Sequence, residues 1–167
     1  MNLILIPVFL LSGVDFGAKV GISFATGGIA KTSRSATTLG VFAGYNFNRS
    51  RVELGYSFFN FPGRSTFPNQ LAIHELALLY NYEFFHRPVW GIALTGGGGF
   101  GFIRRSLKTF QETGTAPDGH LGLAFIQHEG KSRIAAGWDN IIFSEFKKGV
   151  IHLTYFPTLY VKVAYAF

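Results

Sequence analysis

His152 and Thr154 stand two residues apart, and Asp139 and Glu145 lie on the segment just before them. An imidazole, a hydroxyl and a carboxylate are the parts of a hydrolytic set, in which the imidazole takes the hydroxyl proton and the carboxylate orients the imidazole. Gly96, Gly98 and Gly101 spell GxGxxG, but that pattern cradles a pyrophosphate only where a strand precedes it and a helix follows. Here Phe102, Ile103 and Arg104 continue a strand, so the run reads as small residues relieving crowding. His74, His86, His120 and His128 show no metal-ligand spacing. The absence of cysteine excludes disulfides, thiolate nucleophiles and thiolate metal sites. The sequence therefore predicts no cofactor and no metal.

The elements that must position these groups are strands. Nineteen Phe, seven Tyr and twenty-one Gly stand beside a single Met, a balance that favours pleated surfaces over helices. With 48% hydrophobic and 14% charged residues, the chain is too apolar to be disordered. No uninterrupted apolar run reaches the roughly 18 residues a membrane-spanning helix needs. The formal charge of +6 comes from scattered lysines and arginines rather than a basic run, which argues against a nucleic-acid partner.

Residues Leu3 to Leu11 are almost wholly apolar and lead into Ser12 and Gly13, like the core and small-residue end of a secretory signal. Residues 1–13 are expected to be a signal segment and residues 14–167 the mature domain. From Val14 onward, eight segments alternate between apolar and small or polar residues with a period of two, which sends successive side chains to opposite faces of a strand. Phe16, Ala18, Val20 and Ile22 oppose Asp15, Gly17, Lys19 and Gly21; Val52, Leu54 and Tyr56 oppose Arg51, Glu53 and Gly55. Phe42, Ile73 and Leu79 break the pattern. Tight turns at Asn48–Ser50, Phe85–Pro88 and Glu129–Ser132 alternate with longer connections over Gly27–Ser35, Pro62–Gln70 and Arg104–Gly119.

The polar face is dominated by Gly, Ala, Ser and Thr, which suits the cramped interior of an eight-stranded barrel better than a solvated exterior. The apolar face ends in aromatics at both levels, Tyr45, Tyr82, Trp90 and Phe167 towards the turns and Phe24, Phe58, Phe102 and Trp138 towards the loops. Such girdles mark the two interfaces of a membrane. The fold class is thus all-β, an eight-stranded antiparallel up-and-down transmembrane β-barrel; a soluble lipocalin-like calyx is the rival, with its faces inverted. Alternation encloses Lys19, Arg133 and Lys162 with Glu53, Glu75 and Asp139. Buried charges must pair, so these six are expected to form an ion-pair plug, or else a narrow path in which pairs exchange.

The final strand carries Leu159, Val161, Val163, Tyr165 and a terminal Phe167 on its apolar face. This resembles the C-terminal signal read by the outer-membrane assembly machinery, and over residues 14–167 the chain resembles the small OmpA and OmpX barrels. The resemblance implies an integral, non-enzymatic protein of the cell outer membrane with a structural or surface-interaction role, embedded as a monomer among outer-membrane lipid and lipopolysaccharide. The His152-x-Thr154 pair is similar to the His-x-Ser of lipid A deacylase barrels, with Thr in place of Ser and the face turned inward; a lipid A-modifying hydrolase and a narrow pore are the alternatives. Among the long connections, Lys31, Arg34, Arg64, Arg104, Arg105, Lys108, Lys147 and Lys148 oppose Glu112, Asp118 and Glu145, eight cations against three anions for a net of +5. Arg104, Arg105 and Lys108 are expected to contact phosphates of lipopolysaccharide through charge-assisted bonds.

Overall fold

The computed structural model describes residues 13–64, 70–106, 111–147 and 150–167. Alternation of apolar and small residues is realised as eight antiparallel strands: β1 (Val14–Ser23), β2 (Ala36–Phe47), β3 (Ser50–Phe61), β4 (Gln70–His86), β5 (Trp90–Ser106), β6 (Gln111–Glu129), β7 (Ser132–Lys147) and β8 (Val150–Ala166). Each pairs with its sequence neighbours, and β1 also pairs with β8 from Asp15↔Ala166 to Ser23↔Thr158, closing the barrel. Closure pairs each strand with a neighbour on both sides over the shared height of the wall, the arrangement a β-structure spanning hydrocarbon requires.

One short helix, α1 (Gly27–Thr32), lies between β1 and β2. The connection read as an open loop is therefore partly helical. The Asn48–Arg49 and Gly130–Lys131 turns hold Asn48 at φ 54° and Gly130 at φ 58°. These are left-handed values that Asn and Gly tolerate best, and they match the twist of a two-residue hairpin.

Strands β1 to β3 have 10 to 12 residues and β4 to β8 have 16 to 19. About 9–11 tilted residues cross a bilayer, so the long strands overhang it by several residues on the side of the long connections. That overhang corrects the sequence reading of Arg104 to Gly119 as a loop: β5 runs through Ser106 and β6 starts at Gln111, so Arg104, Arg105, Glu112 and Asp118 are strand residues. Pro117 is accommodated because β6 pairs with β7 only from Asp118 onward, leaving Pro117 on a locally unpaired margin.

The outward face is apolar: Val20, Leu39, Leu54, Leu78, Leu94, Leu123, Val161 and Val163 are all exposed. Its aromatic positions Tyr45, Tyr82, Trp90, Phe167, Phe24, Phe102 and Trp138 are exposed as well, with Phe58 partly so. Three polar side chains on this face bond locally. Trp138 Nε1 donates to Asn140 Oδ1 at 3.0 Å, Tyr155 Oη donates to the same oxygen at 2.7 Å, and Asn140 Nδ2 donates to the Leu121 carbonyl at 3.0 Å. Facing the other way, Phe42, Ile73 and Leu79, which break the alternation in the sequence, are buried in the lumen.

Candidate functional site

The lumen is built in three layers, each set by which inward-facing positions carry charge. Nearest the tight turns is a continuous ionic network. Arg51 reaches Asp15 through Nε, at 3.2 Å from Oδ2, and through Nη2, and donates to Glu53 through Nη1. Lys162 Nζ donates to the other oxygen of Glu53 at 2.6 Å. Asn46 Nδ2 donates to Asp15 at 2.7 Å, and Arg133 joins Asn46 Oδ1 at 3.1 Å to Glu83 Oε1 at 2.7 Å. Glu83 Oε2 also meets His86 Nδ1 at 2.7 Å and His128 Nε2 at 3.2 Å. Residues 83 and 86 would fall on opposite faces of a regular strand; a bulge between Glu83 and Phe85 turns His86 to the same side.

Above this layer sits His120. Its Nδ1 is 2.7 Å from Asp139 Oδ2, and its Nε2 is 3.1 Å from Glu75 Oε1 and 3.3 Å from Asp118 Oδ1. A hydroxyl chain, Ser23 to Thr38 at 2.6 Å and Ser23 to Thr158 at 2.7 Å, ties β1 to both its neighbours. The third layer, towards the long connections, is apolar. Phe156 packs edge-on against Phe59 and Phe61, at 5.3 and 5.1 Å between ring centres, and stacks on Phe143 at 5.7 Å, with Ile73, Ile103 and Ile141 buried around them. Two cavities of about 20 and 10 Å³ lie in the lumen beside Glu53, each room for about one water.

Of the six lumen charges expected from the sequence, Lys162 and Glu53 pair directly. Arg133 pairs with Glu83 instead of any of the other five, and Glu75 and Asp139 converge on His120. Lys19 is buried without an ion pair among the described residues and lies 6.0 Å from the Phe59 ring centre. Asp15, Arg51, Glu83 and His120 complete the networks. The first three share the inward parity of residues already singled out and were legible by alternation. His120 and Asp118 were not, because Pro117 and the surrounding glycines and threonines read as loop.

The mouth is a cavity of about 700 Å³ between α1 and the overhanging strands, lined by Arg105, Glu145, His152 and Thr154 among others. Arg105 is turned inward, 2.6 Å from Glu145 and 3.8 Å from Glu112. The expectation that Arg105 reaches outside phosphates is corrected: its guanidinium is engaged inside the mouth. Arg104 points outward and bonds Gln111 at 3.2 Å, and Lys108 lies outside the described residues. Among the described residues His152 and Thr154 make no side-chain hydrogen bond, Glu145 is held by Arg105, and Asp139 is buried on His120. The hydrolytic set weighed from the sequence is therefore not assembled, since a base must sit within hydrogen-bond reach of the proton it abstracts. Gly96–Gly99 lie within β5 with no helix after them; a Cβ on Gly97 or Gly99 would stand 2.3 or 2.2 Å from a carbonyl oxygen of β4. Close backbone approach accounts for Gly97 and Gly99.

No curated protein matches the chain. Solved structures share the fold at low identity. The barrel is similar to Neisserial surface protein A (13% identity, TM-score 0.72, covering 93% of this chain and 98% of that one). It is also similar to Ail, the attachment invasion locus protein of Yersinia pestis (12%, 0.56, covering 93% and 97%). A third match is the N-terminal β-barrel domain of Pseudomonas aeruginosa OprF (15%, 0.54, covering 91% and 96%). The family model of the OmpA-like transmembrane domain matches residues 13–114, more than half of the sequence. With strand count, closure and face polarity already in agreement, the chain belongs to the OmpA-like transmembrane domain family and is an integral β-barrel of the cell outer membrane.

Proposed function

We propose that this barrel is closed and non-enzymatic, and that it acts by contact at the cell surface, with lipopolysaccharide as the partner and as a monomer inserted by the outer-membrane assembly machinery. The filled lumen carries the reading: apolar, imidazole–carboxylate and ion-pair layers cross it, and the two cavities beside Glu53 are water-sized, about 20 and 10 Å³. Ions crossing it would have to part buried pairs, each strongly costly to break. In planar bilayers the purified protein is expected to show no steady conductance, and its expression should leave the lipid A mass profile unchanged. Steady current would replace the reading with a pore, and a lost acyl chain with a hydrolase.

The surface-contact half rests on cations fixed at one corner of the rim. The Ser33↔Gly63 bridge, Arg34 N to Pro62 O at 2.8 Å and Arg64 N to Thr32 O at 3.0 Å knit the first two long connections together. Lys31, Arg34 and Arg64 are exposed there, and Arg104 is exposed on β5. Ail, which shares the architecture, has been solved with the heparin analogue sucrose octasulfate, so at least one such barrel takes up a polyanion. Preplaced guanidinium groups engage phosphate bidentately. The triple reversal R34E/R64E/R104E is expected to weaken binding to lipopolysaccharide by about tenfold or more at low salt, as charge-assisted contacts become repulsive. Unchanged binding in a co-sedimentation assay would remove lipopolysaccharide as the partner. The outward row Leu159, Val161, Val163, Tyr165 and Phe167 is exposed along β8, available to the assembly machinery before it meets lipid.

A further inference from the structure

We propose that Glu75, Asp118 and His120 form a lumenal site for one divalent transition-metal ion, oriented by Asp139. His120 Nε2 lies 3.1 Å from Glu75 Oε1 and 3.3 Å from Asp118 Oδ1, and all three ligand atoms fall within 4.8 Å of one another. With metal–ligand bonds of about 2.0–2.2 Å, the edges of a tetrahedral site are about 3.3–3.5 Å. Two edges are thus already near the required length before any ion arrives.

A second observation points the same way. The Asp118 side chain is 0% exposed, yet neither of its carboxylate oxygens accepts a hydrogen bond, and Asp139 Oδ1 is also buried and unbonded. Buried carboxylate oxygens left without donors are costly. Three carboxylates face one imidazole, and among the described residues no lysine or arginine pairs with any of them. The cluster therefore carries negative charge even with a protonated imidazole. A divalent cation between Asp118, Glu75 and Nε2, displacing the Nε2 proton, would offset two of the three carboxylate charges and occupy the free lone pairs.

Asp139 supplies the orienting contact. Its Oδ2 is 2.7 Å from His120 Nδ1, so it accepts the Nδ1 proton; an ion that displaced the Nε2 proton now shared with Glu75 at 3.1 Å would meet an Nε2 lone pair facing Glu75 and Asp118, the arrangement by which an outer carboxylate fixes the tautomer of a metal-bound histidine. The mixed nitrogen and carboxylate donors suit zinc and its neighbours; calcium takes oxygen ligands. The ion would join β4, β6 and β7 inside the barrel, which goes beyond the surface role proposed above and stands or falls independently of it.

The test uses the refolded full chain in detergent with the turn-side histidines removed (H86A/H128A), so that Glu83 and its histidines do not compete. Isothermal titration with Zn²⁺ should show one site per chain, and Co²⁺ should give the visible absorption of a four-coordinate ion. Ca²⁺ should show no such site. H120A should abolish the site, and D139N should weaken it by about 10–100-fold. Should H120A fail to fold, the Co²⁺ spectrum of D139N decides: an unaltered spectrum and affinity overturns the proposal. Absence of stoichiometric Zn²⁺ binding in the H86A/H128A protein, or equal binding of Ca²⁺, also overturns it and leaves a purely ionic His120 cluster.

Discussion

Phe156→Ala should cost the barrel about 3–5 kcal/mol of unfolding free energy, the usual penalty for deleting a fully buried aromatic. The ring is 0% exposed and contacts Phe59, Phe61 and Phe143 within 5.1–5.7 Å between ring centres. No neighbour can collapse into the space, because those rings are themselves held by the barrel wall. Urea titration of the protein folded in vesicles measures the loss. Since the same ring spans the apolar layer, the substitution should also convert a silent bilayer recording into one with intermittent current. Lost stability without current would mean that the ionic layers alone suffice to seal the lumen.

Glu53→Gln should be comparably severe, about 3–5 kcal/mol, because removing one partner strands the others without compensation in a low-dielectric interior. Glu53 takes Arg51 on one oxygen and Lys162 on the other. Its neutralisation leaves Arg51 with Asp15 and Lys162 with no carboxylate partner among the described residues. The double variant E53Q/K162M should recover a substantial part of the loss, since it removes the stranded charge as well. The readout is again the urea midpoint, together with heat-dependent migration on a gel. A double variant no more stable than E53Q alone would show that the hydrogen-bond geometry, rather than charge balance, holds this layer.

Strand number, the inward and outward faces and the tight turns were legible in the sequence because they follow from a period of two and from Asn and Gly at hairpin corners. Even the three residues that broke the alternation carried information: Ile73 joins the apolar layer of the lumen, Phe42 lies under the charges of Arg51 and Lys162, and Leu79 is buried beside Glu53 and Glu75. Less legible was the partnership between charges. Alternation says that Lys162, Glu53, Arg133 and Glu75 point inward, but which pairs meet depends on the stagger between strands, and that stagger places Arg133 on Glu83. The His120 cluster was hidden for a different reason. Its members come from β4, β6 and β7, so no spacing along the chain records it, and the Thr, Gly and Pro of the upper half of β6 carry a loop composition in a strand conformation. The helix α1 escaped notice because six residues with two glycines offer no periodic signal.

The seam between β1 and β8 has a bearing on how the molecule comes to exist. Asp15 and Ala166 are partners, so the ring is joined by the two most distant parts of the domain, and the final ladder carries the entropic burden of bringing together almost the whole polypeptide. Until that moment both flanking strands present bare amide rows that would pair with any passing extended segment. A partly synthesised chain therefore has no resting place as a smaller barrel, and its safe passage depends on being kept apart from its own kind until β8 arrives.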